Sequence, residues 1–220
     1  MRPIDKSLFH SNQVQYIPYG EAKPDLIAAI GKYCSYCERE GFSTALDVEH
    51  IMDKDSYPAL EYLWSNFLLA CKNCNSIKRT REIDFGNIIL PHLDNTFSPF
   101  EYLESGFIKI KDEIRDPLRH QVSELMSMTG LDRYPNHPRY SRKDNRWEER
   151  KQAWEISRKY RNKYKSGSCD VETIVDLSLN IGFWSIWMNA FTEFPEVQKE
   201  LILRFSGTNQ TYFYEILNGT

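Results

Sequence analysis

Two cysteine pairs, CSYC at residues 34–37 and CKNC at residues 71–74, bracket the dipeptide Glu49-His50 in this chain of 220 residues. Two intervening residues allow a tight turn to direct both sulfurs of a pair at one ion, so two such pairs predict a tetrahedral four-cysteine zinc site. The predicted ligands are Cys34, Cys37, Cys71 and Cys74. The pairs are further apart than in a usual zinc ribbon. The metal is therefore expected to close a loop that contains further functional residues.

The loop carries polar residues in a defined order. Glu49 and His50 lie in the stretch DVEHI, Asn66 interrupts the apolar run WSNFLLA, and NSIK at residues 75–78 directly follows the second cysteine pair. This combination resembles the HNH endonuclease family, many of whose members hold a ββα-metal core together with a four-cysteine zinc. The resemblance implies an α+β fold, in which a zinc-stapled HNH core is followed by a mainly helical C-terminal extension.

Phosphodiester hydrolysis needs a deprotonated water, and His50 has the chemistry for that step. An imidazole with an unperturbed pKa of about 6.5 can accept a proton close to neutral pH. The resemblance further implies that Glu49 and Asn75 hold one divalent cation. Their oxygen ligands suit Mg²⁺ or Mn²⁺ better than zinc. Such an ion would neutralise the scissile phosphate and the departing 3′ oxygen.

Two more residues receive supporting roles from the same resemblance. The Asn66 amide is expected to bond backbone groups of the loop that carries His50 and so to fix the base. Lys78 lies one helical turn beyond Asn75, so both could face one groove and the ammonium could meet a phosphate. Glu49 and His50 point to opposite faces of an extended strand. They can serve one site only where the ribbon ends or bulges.

The chain departs from the family pattern at two places. Many family members carry Asp where this chain has Glu49, and a Pro a few residues after the His where this chain has Met52-Asp53-Lys54. Glu49 is one methylene longer than Asp. The sequence therefore predicts that a metal binds but defines the geometry of its site less well. Asp53 and Asp55 are interpreted as a solvated loop, although either could supply a further carboxylate.

Composition limits the class of protein. A hydrophobic content of 41% is sufficient for a real core. No run approaches the roughly 20 apolar residues of a membrane span, and the amino terminus lacks the apolar stretch of a signal peptide. We therefore expect a cytoplasmic protein without a membrane partner, in which four clustered cysteines bind metal rather than form disulfides. Cys169 is expected to be an ordinary free thiol.

Charge is distributed unevenly along the chain. The net charge of -3 argues against attraction of the whole molecule to nucleic acid, so binding requires a local basic region. Residues 139–165 carry 11 basic and four acidic residues, a local excess of +7. Trp147 and Trp154 lie seven apart and predict a long helix with an aromatic seam and a basic outer side. That side is either a surface for nucleic-acid phosphates or an ordinary solvated helix face.

The remaining pattern predicts three segments. They are an N-terminal arm at residues 1–23, the HNH core with flanking strands at residues 24–112, and a helical extension at residues 113–220. Secondary structure within the core is predicted as helices at 24–30 and 71–80, one strand or a ribbon at 44–51, and extended segments at 87–94 and 100–111. A helical pattern begins after Asp116 and closes at Gly130.

The C-terminal part from residue 171 onward is aromatic and apolar. It predicts two or three helices broken at Gly182 and Pro195. These helices, which contain Trp184 and Trp187, form either a small core or an exposed patch for a partner protein.

The order of segments resembles the HNH nuclease subunit of Septu-type and retron-associated anti-phage defence systems. The nuclease works there with an ATPase, so the resemblance implies an ATPase partner at the apolar C-terminal helices, and DNA is the expected nucleic acid. Two alternatives remain, a non-catalytic zinc-dependent nucleic-acid-binding module and a purely structural zinc knuckle. Neither gives a reason for the order of Glu49, His50, Asn66 and Asn75.

Overall fold

The structure, a computed structural model, describes residues 1–9 and 13–219. The strands in this part of the chain are β1 (Leu46–His50), β2 (Phe67–Cys71), β3 (Phe100–Tyr102) and β4 (Ile108–Ile110). The α-helices are α1 (Lys23–Ile30), α2 (Lys72–Lys78), α3 (Leu118–Thr129), α4 (Arg146–Lys165), α5 (Val171–Ile181), α6 (Trp184–Ala190), α7 (Pro195–Arg204) and α8 (Tyr214–Asn218).

The first hairpin and the helix after it form a ββα unit. Strands β1 and β2 pair antiparallel, with Leu46 opposite Cys71 and His50 opposite Phe67. Every residue of β2 is buried, because this apolar strand packs against both α1 and α2. Helix α2 begins directly after Cys71, so the second cysteine pair spans the junction of strand and helix. The predicted order of strand, strand and helix is confirmed.

Most of the other predicted elements of the core are present. Helix α1 carries Pro24 in its first turn and ends at Gly31, and the predicted hairpin around Gly106 is formed by β3 and β4. The extended segment predicted at 87–94 forms no strand. Residues 88–90 have no regular structure and residues 91–94 form a turn, in which the Asp94 carboxylate accepts a hydrogen bond from the Leu90 backbone nitrogen at 2.8 Å. A side chain that bonds its own backbone in this way competes with strand pairing.

The helical extension packs directly on the ββα unit. Helix α3 ends at Gly130, which has a left-handed φ of 61°. A Cβ at this position would lie 3.0 Å from Ile77 Cδ1 in α2, so only glycine allows the close approach. Helix α4 begins at Arg146, and residues 139–145 form a loop rather than the predicted start of the helix.

One hydrophobic core extends from the N-terminal residues to the last helices. Met1 and Ile4 are buried in it together with Trp184 and Trp187, both of which are 0% exposed. The proposal of a docking patch at these tryptophans is therefore wrong, and the alternative, a helical core, is correct. Gly182 and Pro195 separate α5, α6 and α7 as predicted, and Pro195 occupies the first position of α7. A fourth α-helix, the short α8, follows in the described chain.

Among the helices of the described residues, none has the length and apolar character that crossing a bilayer requires.

His92 generates a prediction about stability. Burial, with a contribution from Lys6, lowers its pKa to about 4, and its Nδ1 has no hydrogen-bond partner among the described residues. The unfolded chain therefore binds a proton below pH 6.5 that the folded chain excludes until about pH 4. The free energy of unfolding should fall by about 2 kcal/mol between pH 7 and pH 5 because of this residue.

Urea unfolding of wild type and His92→Asn at both pH values measures this contribution. We expect the loss of stability on acidification to be about 2 kcal/mol smaller in His92→Asn. An identical pH dependence in the two proteins would contradict the prediction.

Candidate metal and catalytic site

The four predicted zinc ligands lie together in the interior. The sulfurs of Cys34, Cys37, Cys71 and Cys74 are all within 4.8 Å of one another, and all four residues are buried. Tetrahedral coordination with Zn–S bonds of about 2.3 Å separates sulfurs by about 3.8 Å. The Cys37 and Cys71 sulfurs are 3.6 Å apart, which fits that geometry. The four thiols match the ligand set of a structural zinc ion.

Strand β1 divides the predicted catalytic residues between its two faces. Asp47 and Glu49 point toward α2, as their contacts with Asn75 and Lys78 show. His50 points to the other face, where its ring contacts Tyr19 and Phe67. The strand ends at His50. A substrate can therefore reach both faces only at this end of the strand.

The His50 ring is oriented by a backbone carbonyl. Its Nε2 lies 2.9 Å from the Glu61 carbonyl oxygen. A carbonyl only accepts, so this nitrogen carries the proton and Nδ1 keeps a lone pair. Burial lowers the pKa of His50, and the ammonium groups of Lys54 and Lys78 act in the same direction. The imidazole is therefore neutral at physiological pH and can accept a proton.

Asn66 bridges the chain after His50 to the following loop. Its Oδ1 accepts from the Met52 backbone nitrogen at 2.7 Å, and its Nδ2 donates to the carbonyls of Met52 at 2.9 Å and Leu60 at 3.2 Å. Leu60 precedes Glu61, whose carbonyl orients His50. The buried amide thus holds both sides of the loop around the imidazole, the kind of contact that the resemblance implies.

Glu49 and Lys78 form a buried ion pair. The Lys78 Nζ is 2.8 Å from Glu49 Oε1 and donates to the His50 carbonyl at 2.7 Å, and the side chains are only 3% and 2% exposed. Burial raises the pKa of Glu49, and the contacts with Lys78 oppose that shift. The ammonium therefore faces the interior instead of the groove expected from the sequence, because a buried carboxylate needs a counter-charge.

Asn75 contacts a different carboxylate of the same strand. Its Nδ2 donates to Asp47 Oδ2 at 3.0 Å, so its Oδ1 is the end of the amide that remains for a ligand. Burial opposes ionisation of Asp47, but the hydrogen bonds from Lys72 and Asn75 outweigh it and lower the pKa. Two carboxylates and one amide thus line the seam between β1 and α2, and this all-oxygen set fits a hard divalent cation.

Four contributors to the site were not among the predicted site residues. Tyr19 packs edge-on against His50 with ring centroids 4.7 Å apart, and Lys54 lies 5.4 Å from the Tyr19 ring. The Glu61 carbonyl and Asp47 complete the set. Only Asp47 had a signal in the sequence, since it shares a strand face with Glu49. Tyr19 belongs to the segment predicted as an arm.

Residues 34–81 match the family model described as HNH endonuclease. This segment is similar to HNH endonucleases. It begins at the first predicted zinc ligand and includes β1, β2 and α2. The predicted resemblance to that family and the predicted α+β fold with a four-cysteine ββα core are confirmed.

The chain is also similar to the Septu protein PtuB of Bacillus thuringiensis. The two are 36% identical over 104 residues, which cover 45% of this chain and 40% of that protein. The alignment thus spans less than half of the relative, and more than half of this chain lies outside it.

The cysteine cluster gives a prediction about zinc content. Cys71→Ser should bind less zinc and lose about 4 kcal/mol or more of unfolding free energy, because the binding free energy of a structural metal is part of the folding free energy. Elemental analysis and urea unfolding measure the two effects. Cys169→Ser, outside the cluster, is the control and should retain wild-type zinc. Normal zinc content in Cys71→Ser would disprove the ligand assignment.

Asn66 gives a second prediction. Asn66→Ala removes three part-buried hydrogen bonds to the backbone of Met52 and Leu60. The free energy of unfolding should therefore fall by about 1–3 kcal/mol. The exposed Asn162 is the matched control, for which Asn162→Ala should change stability by less than about 0.5 kcal/mol. Equal stability of the two variants would show that the amide does not bridge the loop.

Proposed function

We propose that the chain is a divalent-metal-dependent endonuclease that hydrolyses phosphodiester bonds of nucleic acid, with DNA as its substrate. The observation that carries the proposal is the neutral, oriented His50 inside an HNH domain, at the end of a strand whose other face holds oxygen ligands. A non-catalytic zinc module has no requirement for this arrangement.

In the proposed reaction, His50 is the general base. Its protonated nitrogen is held by the Glu61 carbonyl, which leaves the second nitrogen to accept a proton from the attacking water. Tyr19 and Phe67 pack on the ring and restrict its rotation. The loop bridged by Asn66 keeps the carbonyl in position.

Glu49 and Asn75 would hold the catalytic Mg²⁺ or Mn²⁺, with Asp47 beside them. A bound divalent ion supplies charge neutralisation at the scissile phosphate and at the departing 3′ oxygen. Asp47 orients the Asn75 amide so that its oxygen is available. Lys78 neutralises Glu49 in the buried pair and holds the backbone of His50.

The nucleic-acid backbone is proposed to run past the loop at residues 131–145. This loop follows α3 and lies beside α2, because Gly130 approaches Ile77 closely. Arg133, Arg139, Arg142 and Lys143 on the loop make no ion pair with any residue that the structure describes. Tyr134 stacks on Phe107 with ring centroids 3.9 Å apart and anchors the loop.

The basic character of α4 is partly structural. Arg146 and Arg150 are buried, Arg158 pairs with Glu104, and Lys165 pairs with Glu193. Of the 11 basic residues at 139–165, these four are therefore unavailable to a phosphate backbone. The loop before α4 is the better supported contact surface.

We also propose a role in anti-phage defence together with an ATPase partner. The support is the similarity to a Septu protein and the order of segments that resembles such nucleases. The partner would bind a surface other than Trp184 and Trp187, since both are in the core.

His50 provides the decisive prediction. His50→Ala should lower the rate of plasmid cleavage in Mg²⁺ or Mn²⁺ by at least about 100-fold, because general-base catalysis contributes that much or more. His120→Ala, an exposed histidine outside the site, should retain wild-type activity. The acid limb of the wild-type rate should lie below pH 6.5, because His50 acts as a neutral base with a lowered pKa.

The same assay with RNA in place of plasmid identifies the substrate. Cleavage of RNA alone would refute DNA as the substrate. Equal DNA cleavage by wild type and His50→Ala would refute His50 as the base.

The loop gives a separate prediction about binding. Changing Arg133 and Arg139 together to Ala should weaken binding of non-specific duplex DNA and lower the slope of log K against log salt by about 2. The comparison variant changes Lys151 and Lys159, two exposed lysines of α4. We expect a smaller change in slope for that variant. A larger change at α4 than at the loop would contradict the proposed contact surface.

A further inference from the structure

Arg146 brings the helical extension into contact with the zinc cluster. It is 2% exposed at the start of α4, and its Nη1 lies 3.1 Å from the Cys74 sulfur. The two residues are 72 positions apart, and Arg146 lies outside the segment that matches the HNH family model. A buried guanidinium at a sulfur of the cluster is therefore supplied by a distant part of the chain.

The remaining donors of Arg146 are fully engaged. Its Nε and Nη2 contact the two carboxylate oxygens of Asp144 at 2.8 and 2.6 Å. Its two terminal nitrogens also donate to the carbonyls of Thr129 and Gly130, both at 2.9 Å. Those carbonyls end α3. The guanidinium is thus fixed at the junction of α3 and α4 and presents one N–H to the sulfur.

The two residues that follow the first cysteine pair, Glu38 and Arg39, also contact the extension. The Phe183 nitrogen donates to the Glu38 carbonyl at 2.9 Å, and the Ser185 hydroxyl donates to the Glu38 carboxylate at 2.6 Å. Arg39 reaches Glu149 and Asn145 at the start of α4. Cys74 and the residues directly after the first cysteine pair are therefore both in contact with residues beyond position 140.

Charge explains what the contact with Cys74 can do. Four thiolates around one Zn²⁺ leave two net negative charges in the interior. An N–H donated to a thiolate from a cationic group stabilises that charge, and groups that bond metal ligands commonly change metal affinity by about 10–100-fold.

We propose that Arg146 is a positioning residue of the zinc site, which stabilises the Cys74 thiolate and makes zinc retention depend on the helical extension. Zinc and the junction of α3 and α4 then stabilise each other. The proposal concerns metal retention and does not require cleavage activity.

The test compares zinc-loaded Arg146→Met and Arg150→Met in the full chain. Arg150 lies one turn further along α4, is also 2% exposed, and donates to the carbonyls of Gly106 and Leu131. It therefore matches Arg146 in burial and also donates to two backbone carbonyls, and no described contact joins its side chain to a cysteine sulfur. Transfer of zinc to a chromogenic chelator should be about 10–100-fold faster from Arg146→Met than from wild type. Arg150→Met should differ much less.

Replacing zinc with cobalt gives an absorption band whose position does not change with general destabilisation of the protein. Loss of an N–H donor makes the thiolate more electron-rich, so the sulfur-to-cobalt charge-transfer band should shift to longer wavelength in Arg146→Met and remain in place in Arg150→Met. If Arg146→Met does not fold, Arg146→Lys, which keeps the charge but loses the fork, should show intermediate zinc release. Equal release from the Arg146 and Arg150 variants, an unshifted band, or wild-type release from Arg146→Lys would overturn the proposal.

Discussion

The structure depends on four cysteine sulfurs that meet at one point. Cys71 ends β2 and Cys74 lies in the first turn of α2, so an ion bound to both fixes the angle between strand and helix. The ion also ties this junction to the turn at residues 34–37. Once that angle is set, Asn75 follows directly and faces β1. A zinc ion in the cluster would therefore orient the proposed catalytic seam from outside it.

Side chains along β1 alternate between its two faces, which places the proposed base and the proposed metal ligands on opposite sides. Asp47 and Glu49 meet the helix, where Lys72 and Lys78 pair with their carboxylates. His50 lies on the opposite face among aromatic rings, where burial favours its neutral form. One short strand can thus hold the proposed base and the proposed oxygen ligands in different environments. Burial favours the neutral imidazole of His50, whereas it opposes ionisation of Glu49, and the Lys78 ammonium offsets that effect.

The sequence was sufficient for the parts of the site that depend on local spacing. The C-x-x-C pairs predicted the cluster, and the alternation along β1 predicted the opposed directions of Glu49 and His50. The second strand of the ββα unit followed only from the family resemblance. Contacts between distant segments had no such signal. Tyr19 and Arg146 reach the site through tertiary packing, and no local pattern marks either of them. The tryptophans at 184 and 187 were ambiguous because apolar density alone does not distinguish a core from a docking surface.

The most direct test is a crystal structure of the zinc-loaded protein soaked in Mn²⁺, with anomalous maps recorded above and below the absorption edge of each metal. We expect zinc at the four cysteine sulfurs and manganese at the seam between β1 and α2, within bonding distance of Glu49 and Asn75. Manganese bound elsewhere, with the Glu49–Lys78 pair intact and the seam without a metal peak, would contradict a metal-dependent site at this position.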